Sequence, residues 1–102
     1  MLCQIFELRD HVFVGDVARM SMLMLKDQKD ERINVASGEV VSFKSIATAC
    51  LEISGSKNKI SFKNRNGPMP HNGYRAFDTS KIQARFPKFK QTPLRKGLET
   101  LF

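Results

Sequence analysis

Arg9-Asp10-His11-Val12-Phe13-Val14-Gly15-Asp16-Val17-Ala18 sets the architecture expected of this chain. Val12 to Val14 lies in a polar–apolar alternation and reads as a short strand. Asp16 follows as an N-cap, because its carboxylate can accept from the first unpaired amides of a helix. From Val17 to Lys26 the residues are strong helix formers without Gly or Pro. The apolar residues of that helix (Ala18, Met20, Met22, Leu23, Met24, Leu25) surround its axis instead of forming one stripe. Such a helix is buried on most sides, or presents a face to something outside the chain.

Downstream, Lys26 to Arg32 is a charged surface loop, and Ile33 to Ala36 reads as a strand closed by a Ser37-Gly38 turn. Ser42 caps a helix over Phe43–Ser54 that carries Ile46, Ala49, Cys50 and Ile53 on one face and stops at Gly55. Lys59 to Lys63 reads as the returning strand, which makes Ile33–Ala36 and Ile60–Lys63 neighbouring parallel strands in a βαβ unit. Asn64 to Tyr74 is a Gly- and Pro-rich loop. Asp78 or Thr79 caps a short helix stopped by Pro87, and Thr92 caps a last helix with Pro93 at its first position. The core is expected at Val14, Leu25, Val35, Ile46, Ala49, Ile53, Phe62, Leu94 and Leu98.

At 102 residues the chain is one domain or a piece of one, and 41% hydrophobic residues suffice for a modest core. The early charges Glu7, Arg9 and Asp10 exclude a secretory signal there, and the apolar run Met20–Leu25 is far short of the ~20 residues needed to span a bilayer. A cytoplasmic protein with Cys3 and Cys50 as reduced thiols is the expectation. The net charge is +7, and between Lys57 and Lys96 Asp78 is the only acid. That half attracts anions, whether nucleotide phosphates, nucleic acid or an acidic partner, or else is a solvated basic surface.

Three further phrases follow the opening one in order: Asn34-Val35-Ala36-Ser37-Gly38, Asp78-Thr79-Ser80-Lys81 and Thr92-Pro93-Leu94-Arg95-Lys96-Gly97-Leu98. Together they resemble the last third of the extended short-chain dehydrogenase/reductases, the NAD-dependent nucleotide-sugar epimerases and dehydratases. The resemblance implies an α/β lobe, with a βαβ unit of short parallel strands and C-terminal helices, that is a fragment of a Rossmann-type fold. Residues 1–102 are then a single C-terminal substrate-binding lobe for a nucleoside-diphosphate sugar. The family's Gly-rich dinucleotide loop and its Tyr-x-x-x-Lys pair would lie ahead of Met1. NAD or NADP is implied for the full-length family, no cofactor for this chain, and no catalysis by the chain alone.

The resemblance also implies roles for particular residues. Arg9, in the Arg-Asp phrase, would contact the substrate pyrophosphate, for which the planar guanidinium fork is suited. A surface ion pair between Arg9 and Asp16 is the alternative. Arg65, in Asn64-Arg65-Asn66-Gly67-Pro68, resembles an Arg-x-Gly-Asp phosphate phrase with Pro68 in place of the acid, and stands where open α/β sheets bind ligands. Phe43 would lie against the nucleobase, or in the core. Asp10, Asp16 and the Asp78–Lys81 phrase read as structural. His11 reads as a packed strand residue and His71 as a loop residue, and neither has the spacing of a metal site. Gly-x-Gly-x-x-Gly and Gly-x-Ser-x-Gly are absent from the sequence. Two other functions compete: a small basic nucleic-acid binder, and a docking subunit for a separate Rossmann domain that uses residues 17–25, a face equally suited to self-association.

Overall fold

The computed structural model describes residues 7–61, 63, 67 and 73–102. The order of elements is β1 (Leu8–Asp10), α1 (Val14–Asp27), β2 (Val40–Ser42), α2 (Phe43–Ser54), β3 (Tyr74–Arg75), α3 (Ser80–Arg85) and α4 (Leu94–Glu99). The α/β class is as expected, but the strands fall elsewhere. Val12–Val14 is not a strand: β1 lies earlier, and Val14 already opens α1. Neither Ile33–Ala36 nor the described residues of Lys59–Lys63 join the sheet. Phe62 lies outside the described residues.

β1 is the central strand, in the order β2-β1-β3. It pairs antiparallel with β2, with Arg9 opposite Val41, and parallel with β3, with Arg9 opposite Arg75. The parallel pair is therefore β1 with β3, not the two strands flanking α2. Short apolar runs look alike to periodicity arguments, and pairing partners decide which of them become strands. Asp10 contributes to that choice by holding the turn before β2. Its carboxylate accepts from Ser37 N–H and Gly38 N–H, both at 2.8 Å, and from the Ser37 hydroxyl at 2.9 Å. Gly38 has φ +86°, which a side chain would strain.

α2 follows its sequence expectation closely. The Ser42 hydroxyl accepts from Ser45 N–H at 3.1 Å, and Gly55 ends the helix at φ +69°. Thr79 is the N-cap of α3, without a side-chain bond, and Asp78 just before it accepts from Ser80 N–H at 2.9 Å. Asp16 is not the N-cap of α1. Phe13 occupies that position without a side-chain bond, and Asp16 lies within the first turn. Thr92 does not cap α4, which starts after Pro93. Both residues serve a different contact. Asp16, 1% exposed, accepts from the Thr92 backbone N–H and hydroxyl, each at 2.7 Å, and from Arg19 at 2.8 Å.

The molecule is a thin slab of 46 × 34 × 17 Å. Its Cα radius of gyration is 16.2 Å, where a compact domain of this length has ~13 Å. Among the described residues the buried apolar side chains are Met20, Ala36 and Ile82. Val14 (78% exposed) and Leu25 (70% exposed), expected in the core, are on the surface. Val35, Ile46, Ala49, Ile53, Leu94 and Leu98 are half-buried. A slab this thin has too little interior to cover both faces of its helices.

Candidate functional site

The sheet face that carries Arg9 brings charged side chains together. Residues in register on paired strands share a face, as do residues two apart along a strand. Arg9, Val41 and Arg75 accordingly belong to one side. Arg9 is fixed by Glu7, whose Oε1 accepts from the guanidinium Nε at 2.9 Å and also from Nη2. Glu7 is buried while Arg9 is partly exposed, so the carboxylate anchors the fork from beneath. The Arg9–Asp16 pair does not form, because Arg19 on the same helix takes Asp16. Arg75 lies over the Phe77 ring, 5.3 Å from guanidinium to centroid.

Arg75 was not singled out by its sequence context, where it falls at the end of an apparent loop. Only its pairing with β1 brings it beside Arg9. Two like charges opposite each other on adjacent strands repel, and Glu7 is paired with Arg9. An anion between the two forks would remove that repulsion and use donors that Glu7 does not occupy. Arg65 and His71 lie outside the described residues. Phe43 opens α2 directly after Ser42, the register partner of Leu8, and its ring meets His11 edge-on at 5.4 Å.

Among the described residues, Arg85 and Arg95 are paired with acids from earlier in the chain. Arg85 bridges Asp27 and Glu31, which raises its own pKa; hydrogen bonding to it lowers that of Glu31. Arg95 meets Glu52 at 2.9 Å, and the Lys81 ammonium donates to the Arg32 carbonyl at 2.6 Å. Burial by itself would raise the Asp16 pKa, but hydrogen bonds from Arg19 and Thr92 outweigh it and hold the carboxyl below its ordinary value. Among the described residues no cluster of His, Cys, Asp or Glu could hold a metal ion, and no helix is long and apolar enough to cross a membrane. Cys50 is a free thiol.

Among the described residues, neither the start of α1 nor that of α2 is built to cradle a phosphate. The first turn of α1 contains the buried Asp16 carboxylate, which repels a phosphate there, and the start of α2 is taken by the Ser42 hydroxyl. No Gly-rich loop precedes either helix.

The fold is that of a segment of the Rossmann-type, NAD-dependent epimerases. It is similar to UDP-glucuronic acid 4-epimerase from Bacillus cereus in complex with NAD, with a TM-score of 0.69 and 25% identity over 97% of this chain and 31% of that one. The Bordetella bronchiseptica enzyme WbmH in complex with NAD+ shares the fold at a TM-score of 0.73 and 24% identity, over 90% of this chain and 31% of that one. The chain thus spans about a third of the length of the solved structures it resembles. No protein-family model and no curated protein matches it.

Proposed function

We propose that this chain is the substrate-binding portion of an NAD(P)-linked nucleotide-sugar epimerase or dehydratase, and that it holds the diphosphate of a nucleoside-diphosphate sugar on the Arg9 face. The observation that carries the reading is the register of Arg9 against Arg75. A diphosphate presents two anionic groups to two guanidinium forks, and charge-assisted bonds of this kind are worth ~1.5–3 kcal/mol each before ordering and desolvation are subtracted. The family resemblance adds Arg65 as a candidate further cation and Phe43 as a candidate wall for the nucleobase. On this reading the reactive chemistry belongs to a nicotinamide cofactor, and this chain's part is to hold the substrate.

Titration of the chain with UDP-glucose and with NAD, followed by NMR, tests the proposal. UDP-glucose should bind in the millimolar range, about 4 kcal/mol, because only one wall of the pocket is present. It should shift the resonances of Arg9 and Arg75, and Arg9→Ala or Arg75→Ala should abolish the shifts. NAD, which also carries a diphosphate, should shift them no more than inorganic pyrophosphate does. Tight NAD binding, or UDP-glucose shifts indifferent to both arginines, would refute the reading.

The exposed outer face of α1 favours a second, compatible role. Val14, Met22 (55% exposed) and Leu25 present an apolar surface for a separate Rossmann domain or a second copy of the chain.

A further inference from the structure

Glu7 stands directly before the central strand β1, and its side chain is 1% exposed. A single oxygen of it, Oε1, accepts from Nε of Arg9 at 2.9 Å and from Nη2. Those two donors lie along one side of the guanidinium plane. The end of the fork, made by Nη1 and the second hydrogen of Nη2, is left for another acceptor, on a side chain that is 29% exposed. Arg75, the register partner of Arg9, is held differently. Its guanidinium lies over the Phe77 ring, a contact that uses the face of the fork and not its N–H donors. By charge alone a carboxylate beside an anion site is unfavourable, since it repels the ligand and offsets the arginine's attraction. Geometry supplies a contrary effect. Swinging Arg9 away would take two charge-assisted bonds from a carboxylate that water scarcely reaches. The fork is therefore fixed before any anion arrives.

We propose that Glu7 is a positioning residue for anion binding: it holds Arg9 by one side of its fork so that the free end is presented to the diphosphate. The inference rests on the diphosphate reading and goes beyond it in assigning a function to a buried acid. A long side chain ordered in advance spares the cost of ordering it when the ligand binds. That gain outweighs the repulsion between the carboxylate and the anion. A chain without the Glu7 carboxylate then binds anions more weakly, although its net charge is more positive. Coulomb's law by itself gives the opposite sign, so the direction of the change separates positioning from plain electrostatics.

The test titrates the full chain with inorganic pyrophosphate and follows the arginine Nε–H groups by NMR. Before any ligand is added, the guanidinium of Arg9 should rotate about its Nε–Cζ bond more slowly than that of Arg75. Glu7→Met, which puts an apolar side chain of similar length in the buried place, should release Arg9 and weaken pyrophosphate binding about three- to tenfold. Glu7→Gln carries the same charge as Glu7→Met but retains an oxygen that can accept from Arg9. It should slow the rotation again and recover part of the lost affinity. Binding by Glu7→Met that equals or exceeds that of the unchanged chain overturns the proposal, as does weakened binding with the Arg9 rotation unaltered. Arg9 rotating as freely as Arg75 overturns it too, and this comparison decides by itself should the variants not fold. Pyrophosphate that shifts neither arginine in the unchanged chain refutes the diphosphate reading instead, and the rotation of Arg9 then decides the role of Glu7 alone.

Discussion

Asp16 and Thr92, separated by 76 positions, are joined by two hydrogen bonds of 2.7 Å, one to each carboxylate oxygen. The pair ties the first turn of α1 to the segment entering α4, and Arg19 completes it from the helix side at 2.8 Å. Arg19 also lies 4.5 Å from the Phe89 ring centroid and donates to the Lys90 carbonyl. One buried carboxylate thereby organises the packing of α1 on residues 86–92. In a slab with so few buried apolar side chains, such a junction contributes a large share of a small total stability.

Asp16→Ala should destabilise the chain by about 2–3 kcal/mol, since it removes a charged acceptor from three donors and leaves the Thr92 N–H buried and unpaired. Thr92→Val, which removes one bond and retains the backbone one, should lose about 1 kcal/mol. Urea unfolding followed by circular dichroism measures both. A double-mutant cycle should show that they are not additive, because they act on one junction.

The same junction sets an acid limit. The Asp16 pKa in the folded chain lies below its ordinary 3.8, so folding favours the carboxylate. Its contribution is complete above that ordinary value and is lost as pH falls through the lower, folded value. The stability gap between the unchanged chain and Asp16→Asn should therefore be constant near neutrality and close below about pH 4. Urea midpoints measured in steps of pH read this directly. A gap that widened on acidification would reverse the assignment.

Gly97 is buried against Phe13, and a Cβ built there would lie 2.9 Å from Phe13 Cδ1. Gly97→Ala raises helix propensity by ~1 kcal/mol but crowds a buried ring at ~1–3 kcal/mol, and the ring should win. A net loss of about 1 kcal/mol in chemical unfolding is the expected outcome. Shrinking the ring with Phe13→Leu in the Gly97→Ala background should recover part of it. Stabilisation by Gly97→Ala alone would mean that Phe13 moves aside freely.

The outer face of α1 should make the isolated chain self-associate at high concentration or bind a hydrophobic dye. Met22→Lys with Leu25→Glu should reduce either effect without weakening the fold, because both side chains are more than half exposed. Sedimentation velocity and dye fluorescence report the two effects. A monomeric, dye-silent parent chain would rule out a docking role for this face.

By itself the sequence determined the elements whose signals are local. α2 is bounded by the Ser42 hydroxyl and the left-handed Gly55, both readable from neighbouring residues. The four ordered phrases pointed to the epimerase-like architecture, and the solved structures share it. Arg9 was legible as a candidate because its phrase is contiguous. What only the tertiary structure decided rests on partners distant in the chain. Leu8–Asp10 becomes the central strand because Val40–Ser42 and Tyr74–Arg75 pair with it on either side, an arrangement that no local alternation encodes. Asp16 has the composition of a cap, yet its role is fixed by Thr92, and Arg75 looks like a loop residue until its register places it beside Arg9. Caps and turns are settled within a few residues, whereas strand pairing, a buried carboxylate and two arginines on one face depend on contacts that exist only once the chain has closed on itself.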